Sequence, residues 1–402
     1  MNNSPLTRKY RNSIIAVLCV FASCNCMGAV DGALGKIAEA LNVSPTTALY
    51  CGSVPAIMTM VASLTIGMQA GSRIRYRTMT VIGGVCMLVG GIVPTVIHSF
   101  ALLLVFRGLF GFGAGALLSI ENPLATILLE EEGLRARILG YGTSVGFAFQ
   151  MLMQFLGGVL ADVRWNYVFL VHILLFVPIV LALRYTPDIP LIGKQDAQAE
   201  GETASSEGGS GAFIPLVVIL ICVMMGINGV LICPLLLGSA FYVGAISDSA
   251  TLAGLIAVMY SLGNMIGGLI YPHIHKRLGD WGYTVYLLVM AGGLFISASA
   301  RTIPTIAFGF IFGGVGNACQ IPAIMFKIGQ LCDRVQLGRA SSLMVMMMYL
   351  GMFGCSAWEA LVGKLTGDFL YMPLYIGSGI IAFFALIFLA AAIRSAKKER
   401  QG

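Results

Sequence analysis

RGLFGFGAGALLSIENP, residues 107–123, places an arginine and a glutamate inside a segment otherwise apolar enough to cross a bilayer. From Ala101 to Leu129, Arg107 and Glu121 are the only ionisable side chains. A charge at membrane depth costs about 2.5 to 3.5 kcal/mol even on the lenient insertion scale, so each needs a partner or water. The two stand fourteen positions apart. On a helix that is roughly one face, with about 21 Å between them along the axis. Arg107, Gly111, Ala114, Leu118 and Glu121 form this stripe. Gly111, Gly113 and Gly115 remove side chains where a neighbouring backbone presses close, and helix packing is the reading they support. GFGAG superficially matches a dinucleotide fingerprint, but no strand precedes it and its glycines fall within an apolar helix, which excludes that reading.

Working outward, the chain of 402 residues is 58% hydrophobic and only 10% charged, with mean hydropathy +0.89. Its apolar runs are long enough to span a membrane repeatedly, which makes it an all-α, polytopic membrane protein. Fifty glycines fit helices that associate by close backbone approach. Ten scattered cysteines, without metal-ligand spacing, read as small core residues, and no metal or cofactor is expected.

Six spans are expected near 14–35, 46–70, 78–97, 101–128, 138–160 and 166–184, and six more near 213–241, 250–272, 282–300, 303–326, 339–361 and 371–393. Residues 186–212, including QDAQAEGETASSEGGSG, are polar, acidic and small, as in a flexible linker. The expected organisation is a six-helix bundle over 1–185, the linker, and a second bundle over 213–402. With the N-terminus inside, nineteen Lys and Arg fall on the inner side against four outside (Lys36, Arg164, Arg301 and Lys364). This positive-inside bias predicts cytoplasmic termini, and it accounts for the net charge of +6 without a nucleic-acid partner.

The halves match weakly at a near-common offset. The run before Gly71-Ser72-Arg73 aligns with that before His275-Lys276-Arg277 at 204 positions, and Glu121-Asn122-Pro123 with Gln320-Ile321-Pro322 at 199. Parallel repeats of this kind place a binding site between the halves near the midplane.

On these residues the chain resembles the major facilitator superfamily, and within it the branch of drug:proton antiporters. Arg107-Gly108-Leu109-Phe110-Gly111-Phe112-Gly113-Ala114-Gly115 is similar to that family's fourth-helix motif. Ala33-Leu34-Gly35-Lys36-Ile37-Ala38 is similar to its first-helix ending, with Gly35 where a proline is usual. Gly67 to Arg77 is similar to its signature gating loop, with Arg73, Arg75 and Arg77 as the basic residues and Gly71 where an aspartate is usual. Gly142 to Gly158 partly resembles the antiporter motif of the fifth helix, ending in Gly157-Gly158, with Gln154 at the customary proline position. The resemblance implies two pseudo-symmetric bundles with helices 1, 4, 7 and 10 around a central cavity, which would let Asp31 meet Arg107. A carboxylate between a neighbouring cation and a dry surrounding changes its proton occupancy as water enters and leaves.

Glu121, Asp31 and Arg107 are therefore the proton-coupling candidates. Asn25, Asn122, Gln150, Gln154, Asn228, Asn317 and Gln320 are the candidates for a polar cavity, because an amide inside an apolar helix needs a partner, a water or a ligand. Asn264 belongs to the same class. Trp358 and Glu359 read as an interface anchor. The expected function is a monomeric secondary transporter of the cell membrane that moves a small organic solute by alternating access, with proton-coupled efflux as the first reading. The alternatives are an importer of a nutrient or organic anion, and a receptor or scaffold that has lost transport. No nucleophile, base and orienting group recur at a spacing that would suggest an enzyme.

Overall fold

The structure is a computed structural model that describes residues 10–71, 73–189, 215–279, 281–332 and 334–399. Among these residues twelve helices are long and apolar enough to cross a membrane. The first six are α1 (Arg11–Ala40), α2 (Pro45–Thr65), α3 (Tyr76–Val96), α4 (Phe100–Leu128), α5 (Gly133–Val163) and α6 (Trp165–Tyr185). The second six are α7 (Leu216–Gly244), α8 (Ala250–Leu278), α9 (Trp281–Ser299), α10 (Ile303–Leu331), α11 (Ser342–Thr366) and α12 (Met372–Ala390). They form an N-terminal and a C-terminal six-helix bundle. Most of the expected linker, from residue 190 onward, lies outside the described residues.

An even number of spans brings both ends of the chain to one face. Toward that face the buried apolar side chains divide into two clusters. One, around Val17, Met79 and Leu124, belongs to the N-terminal bundle, and the other, around Val218, Ile324 and Met344, to the C-terminal bundle. Toward the opposite face a single cluster runs across both, joining Val30, Ile37 and Leu49 to Leu235, Tyr242 and Ile256. The bundles are thus clasped away from the termini.

Apolar burial gives helices little reason to associate in lipid, so close backbone packing carries the fold. Gly111 faces the Pro55 backbone and Gly115 that of Thr59, both on α2, while Gly113 faces Gly83 and Met87 on α3. Gly157 faces Ala29 on α1, and Gly158 reaches across to Ala250 of the other bundle.

Candidate functional site

The first helix is not the continuous span its hydropathy suggests. It is α-helical over Arg11–Cys24, tightens to a 3-10 helix over Met27–Ala33, and resumes as α-helix over Leu34–Ala40. Leaving the α-helical ladder frees backbone carbonyls, which in a membrane must find another donor. Arg107, fully buried, is that donor: its Nη2 donates to the Met27 carbonyl at 3.0 Å. Its Nε donates to the Cys51 carbonyl at 2.9 Å. Cys51 stands four residues before Pro55, which has no N–H to return to it. One guanidinium therefore repairs the break in α1 and the proline gap in α2. It also lies 5.0 Å from the centroid of the Phe110 ring, whose other neighbour is the buried His172 ring at 4.8 Å.

Two of Arg107's five donors are used in this way, and its Nη1 has no partner. Asp31, from the 3-10 segment, is only 1% exposed, yet neither carboxylate oxygen accepts a hydrogen bond. The two side chains interact through space without forming an ion pair in this conformation. Glycines hold the carboxylate in a notch. A Cβ at Gly28 would lie 2.8 Å from Asp31 Oδ2, 3.0 Å from Gln154 Nε2 and 3.3 Å from Gln150 Nε2, and one at Gly52 would lie 3.2 Å from Asp31 Oδ1. Gln154 Nε2 is also buried without a partner. Unpaired acceptors and an unpaired donor thus lie around the same glycine, and the carboxylate faces open space.

That space is a cavity of about 220 Å³ between the bundles, on the terminus side of the clasp. Of the residues expected there, Asn25, Asp31, Gln150, Asn228, Asn264 and Asn317 line it. Asn25 donates to the Phe21 carbonyl at 3.2 Å, and Asn317 donates to Asn264 Oδ1 at 3.0 Å. Asn228 donates to Gln320 Oε1 at 2.9 Å, while its own Oδ1 is left without a partner. Gln320 sits behind the wall as this orienting partner. Gln154, also behind it, accepts from Ser261 at 2.9 Å across the bundle interface.

Glu121 and Asn122 lie elsewhere. Asn122 is exposed, and Glu121 is off the cavity wall, partly buried with Cys24 and Tyr349 among its neighbours. The stripe on α4 turns its Arg107 end inward to α1 and α2, whereas its Glu121 end falls beyond the chamber. The Tyr349 ring, on the cavity wall, is what relates Glu121 to that space. Arg73 and Arg77 are exposed, and Arg75 pairs at 2.7 Å with Asp188, three residues beyond the end of α6 at the start of the expected linker. Glu359 is not an interface anchor: it is 1% exposed and accepts from the Cys355 thiol at 3.7 Å.

Sequence reasoning missed Ser261, Tyr260 and the pair Ser53 and Ser356, whose hydroxyls meet at 2.8 Å across the bundles. Small hydroxyl residues are ordinary in membrane helices and carry no signal until the partner is known. Among the described residues no group of three His, Cys, Asp or Glu side chains is placed to hold a metal.

The family model of the Major Facilitator Superfamily matches residues 16–281. The chain belongs to that superfamily. It is a secondary transporter, not an enzyme, and moves a small solute by alternating access. No curated protein matches the sequence. The fold is similar to that of a D-xylose-proton symporter, with a TM-score of 0.75 at 16% identity over 96% of this chain and 97% of that one. It is also similar to the nucleoside transporter NupG, at 0.73 and 12% over 94% and 99%. The inward-open xylose transporter XylE from E. coli gives 0.72 and 14% over 96% of both chains.

Proposed function

We propose that this facilitator is a proton-coupled importer of a small, neutral, hydroxyl-rich solute. The observation that carries the reading is the Asp31 carboxylate, buried on the cavity wall beside Arg107 with neither oxygen bonded. Proton and solute would share this notch: a protonated Asp31 donates, an ionised one accepts, and only one form suits a given bound solute. The rest of the polar wall is amide and hydroxyl, the latter from Ser53, Ser261, Tyr260 and Tyr349, which offers donors and acceptors to a solute's hydroxyls and no counter-charge for an ion. The similarity in fold to carriers of xylose and nucleosides supports import of such a solute over the drug efflux suggested by the sequence motifs. The excess of Lys and Arg on the terminus-bearing side supports cytoplasmic termini in a cell membrane. The cavity is complete within one chain, which supports a monomer as the working unit.

The test is uptake of labelled pentoses, hexoses and nucleosides into proteoliposomes under an inward proton gradient. Asp31→Asn is expected to abolish accumulation against the gradient while leaving solute exchange at equilibrium within about threefold, because the amide keeps the shape and one acceptor. Glu121→Gln is expected to accumulate solute as the native protein does. Full gradient-driven accumulation by Asp31→Asn, or its loss only in Glu121→Gln, would overturn the assignment.

A further inference from the structure

At the face away from the termini the Asp162 carboxylate joins the two bundles. Asp162, in the last turn of α5, reaches over the N-terminus of α8. Its Oδ1 accepts from the Ala250 N–H at 2.8 Å. Its Oδ2 accepts from the Thr251 N–H at 2.8 Å, the Thr251 hydroxyl at 2.5 Å and the Ser249 hydroxyl at 3.1 Å. Lys36, in the last turn of α1, lies 3.1 Å from Asp162 Oδ1 and 3.8 Å from the exposed Asp248.

The first N–H groups of a helix have no partner within it, and a nearby residue of the same chain segment usually caps them. Ser249 does this in part, accepting from Leu252 N–H at 3.2 Å. Asp162 takes the remaining work from the other bundle, and the positive end of the helix dipole strengthens its hold. Below it the seam is nearly bare backbone. A Cβ at Gly254 would lie 2.6 Å from the Gln154 carbonyl, and one at Gly32 would lie 2.6 Å from Gly254 N. Such a seam fits closely, and deeper along it a neutral side-chain bond, Ser261 to Gln154 at 2.9 Å, adds to the contact without a charge. Above it, a pocket of about 490 Å³ lined by Lys36, Asp248 and Ala253 opens beside the latch, so water stands ready to take over its bonds.

We propose that Asp162 is the latch of the gate on this face, a positioning residue for alternating access that acts by capping α8 only while the gate is closed. An interaction made in one state and absent in the other shifts the population by its own free energy. Removing it favours states open away from the termini.

The experiment uses the full-length chain in detergent micelles with Ala253→Cys as reporter, since Ala253 borders the pocket but is only 1% exposed and packs against Gly32, which keeps a bulky reagent out while the seam is closed. Labelling by a bulky charged maleimide is read residue by residue with mass spectrometry. Asp162→Ala is expected to raise the labelling rate at position 253 by about tenfold, the effect of losing a good helix cap. Asp162→Glu, which keeps the charge, is expected to restore most of the protection. Native Cys355, fully buried inside the C-terminal bundle, is the internal control and is expected to stay unreactive. An unchanged rate at 253, or an equal rise at Cys355 that marks general loosening, would overturn the proposal. Should Asp162→Ala not fold, Thr251→Val removes one of the hydroxyl contacts and is expected to raise the rate by about threefold. No rise there refutes the latch equally.

Discussion

Across the α5–α8 seam a carboxylate of one bundle accepts four hydrogen bonds from the other, whereas across the α2–α11 seam one serine hydroxyl meets another. The pseudo-symmetry of the two bundles makes these seams counterparts, yet their chemistry differs. Asp162 and Lys36 sit at a wetted edge, where water can receive the charges when the bundles part. Ser53 and Ser356 are buried, where a charge would have nowhere to go, and a neutral pair leaves little to rehydrate. A tilted pairing of the Tyr50 and Phe353 rings, 6.5 Å apart, completes that seam. The contrast teaches that one side fixes the closed register, while the other holds contact that is weak and easily exchanged.

The strongest way to break the comparison is to wedge the tight seam. Gly254→Val would press against the Gln154 carbonyl, and overpacking of this kind costs about 1 to 3 kcal/mol. Transport is expected to fall by about tenfold or more, with maleimide reaching Cys233 on the cavity wall faster than in the native protein. An unaffected transport rate would mean that the seam has room to yield. A smaller effect is expected on the other side. Ser356→Ala leaves the buried Ser53 hydroxyl without its partner, a loss of about 1 to 3 kcal/mol, while Ser53→Ala with Ser356→Ala together is expected to be nearly neutral. Thermal unfolding of the two variants checks this. If the double variant is as damaged as the single one, the serine pair does more than fill the seam. The least effect is expected from Lys36→Met. Its pairs are a quarter or more exposed, worth about 0.2 to 1 kcal/mol, and their contribution is expected to fade as salt is raised. A large, salt-independent change in transport would place Lys36 within the latch as an equal of Asp162.

Much of the architecture was legible in the chain. Spans can be counted from hydropathy because every backbone group in lipid must be satisfied within its own helix. The observed bounds differ from expectation mostly at the ends, as where α8 continues to Leu278 and α10 to Leu331, beyond the apolar core of each run. The site was legible only in part. Arg107 and Asp31 stood out by their cost, but the helical stripe that joined Arg107 to Glu121 gave no depth for the chamber. A lone charge draws the eye to Glu121, but no local pattern says that it lies beside Tyr349 and not itself on the wall. The motifs that suggest drug efflux are largely glycine, and those glycines pack helices, which any carrier of this fold requires, so they do not distinguish export from import.

By itself the sequence determined the membrane as solvent, the twelve spans, their repeat and the presence of buried charge, since each follows from composition and periodicity along the chain. Tertiary structure decided which carboxylate meets the cavity, that Arg107 serves freed carbonyls before it serves Asp31, and that Asp162 caps a helix of the opposite bundle. These depend on distances between segments far apart in the chain. A hydrogen bond is set by a few tenths of an ångström across packed helices, a quantity that no local pattern of residues encodes.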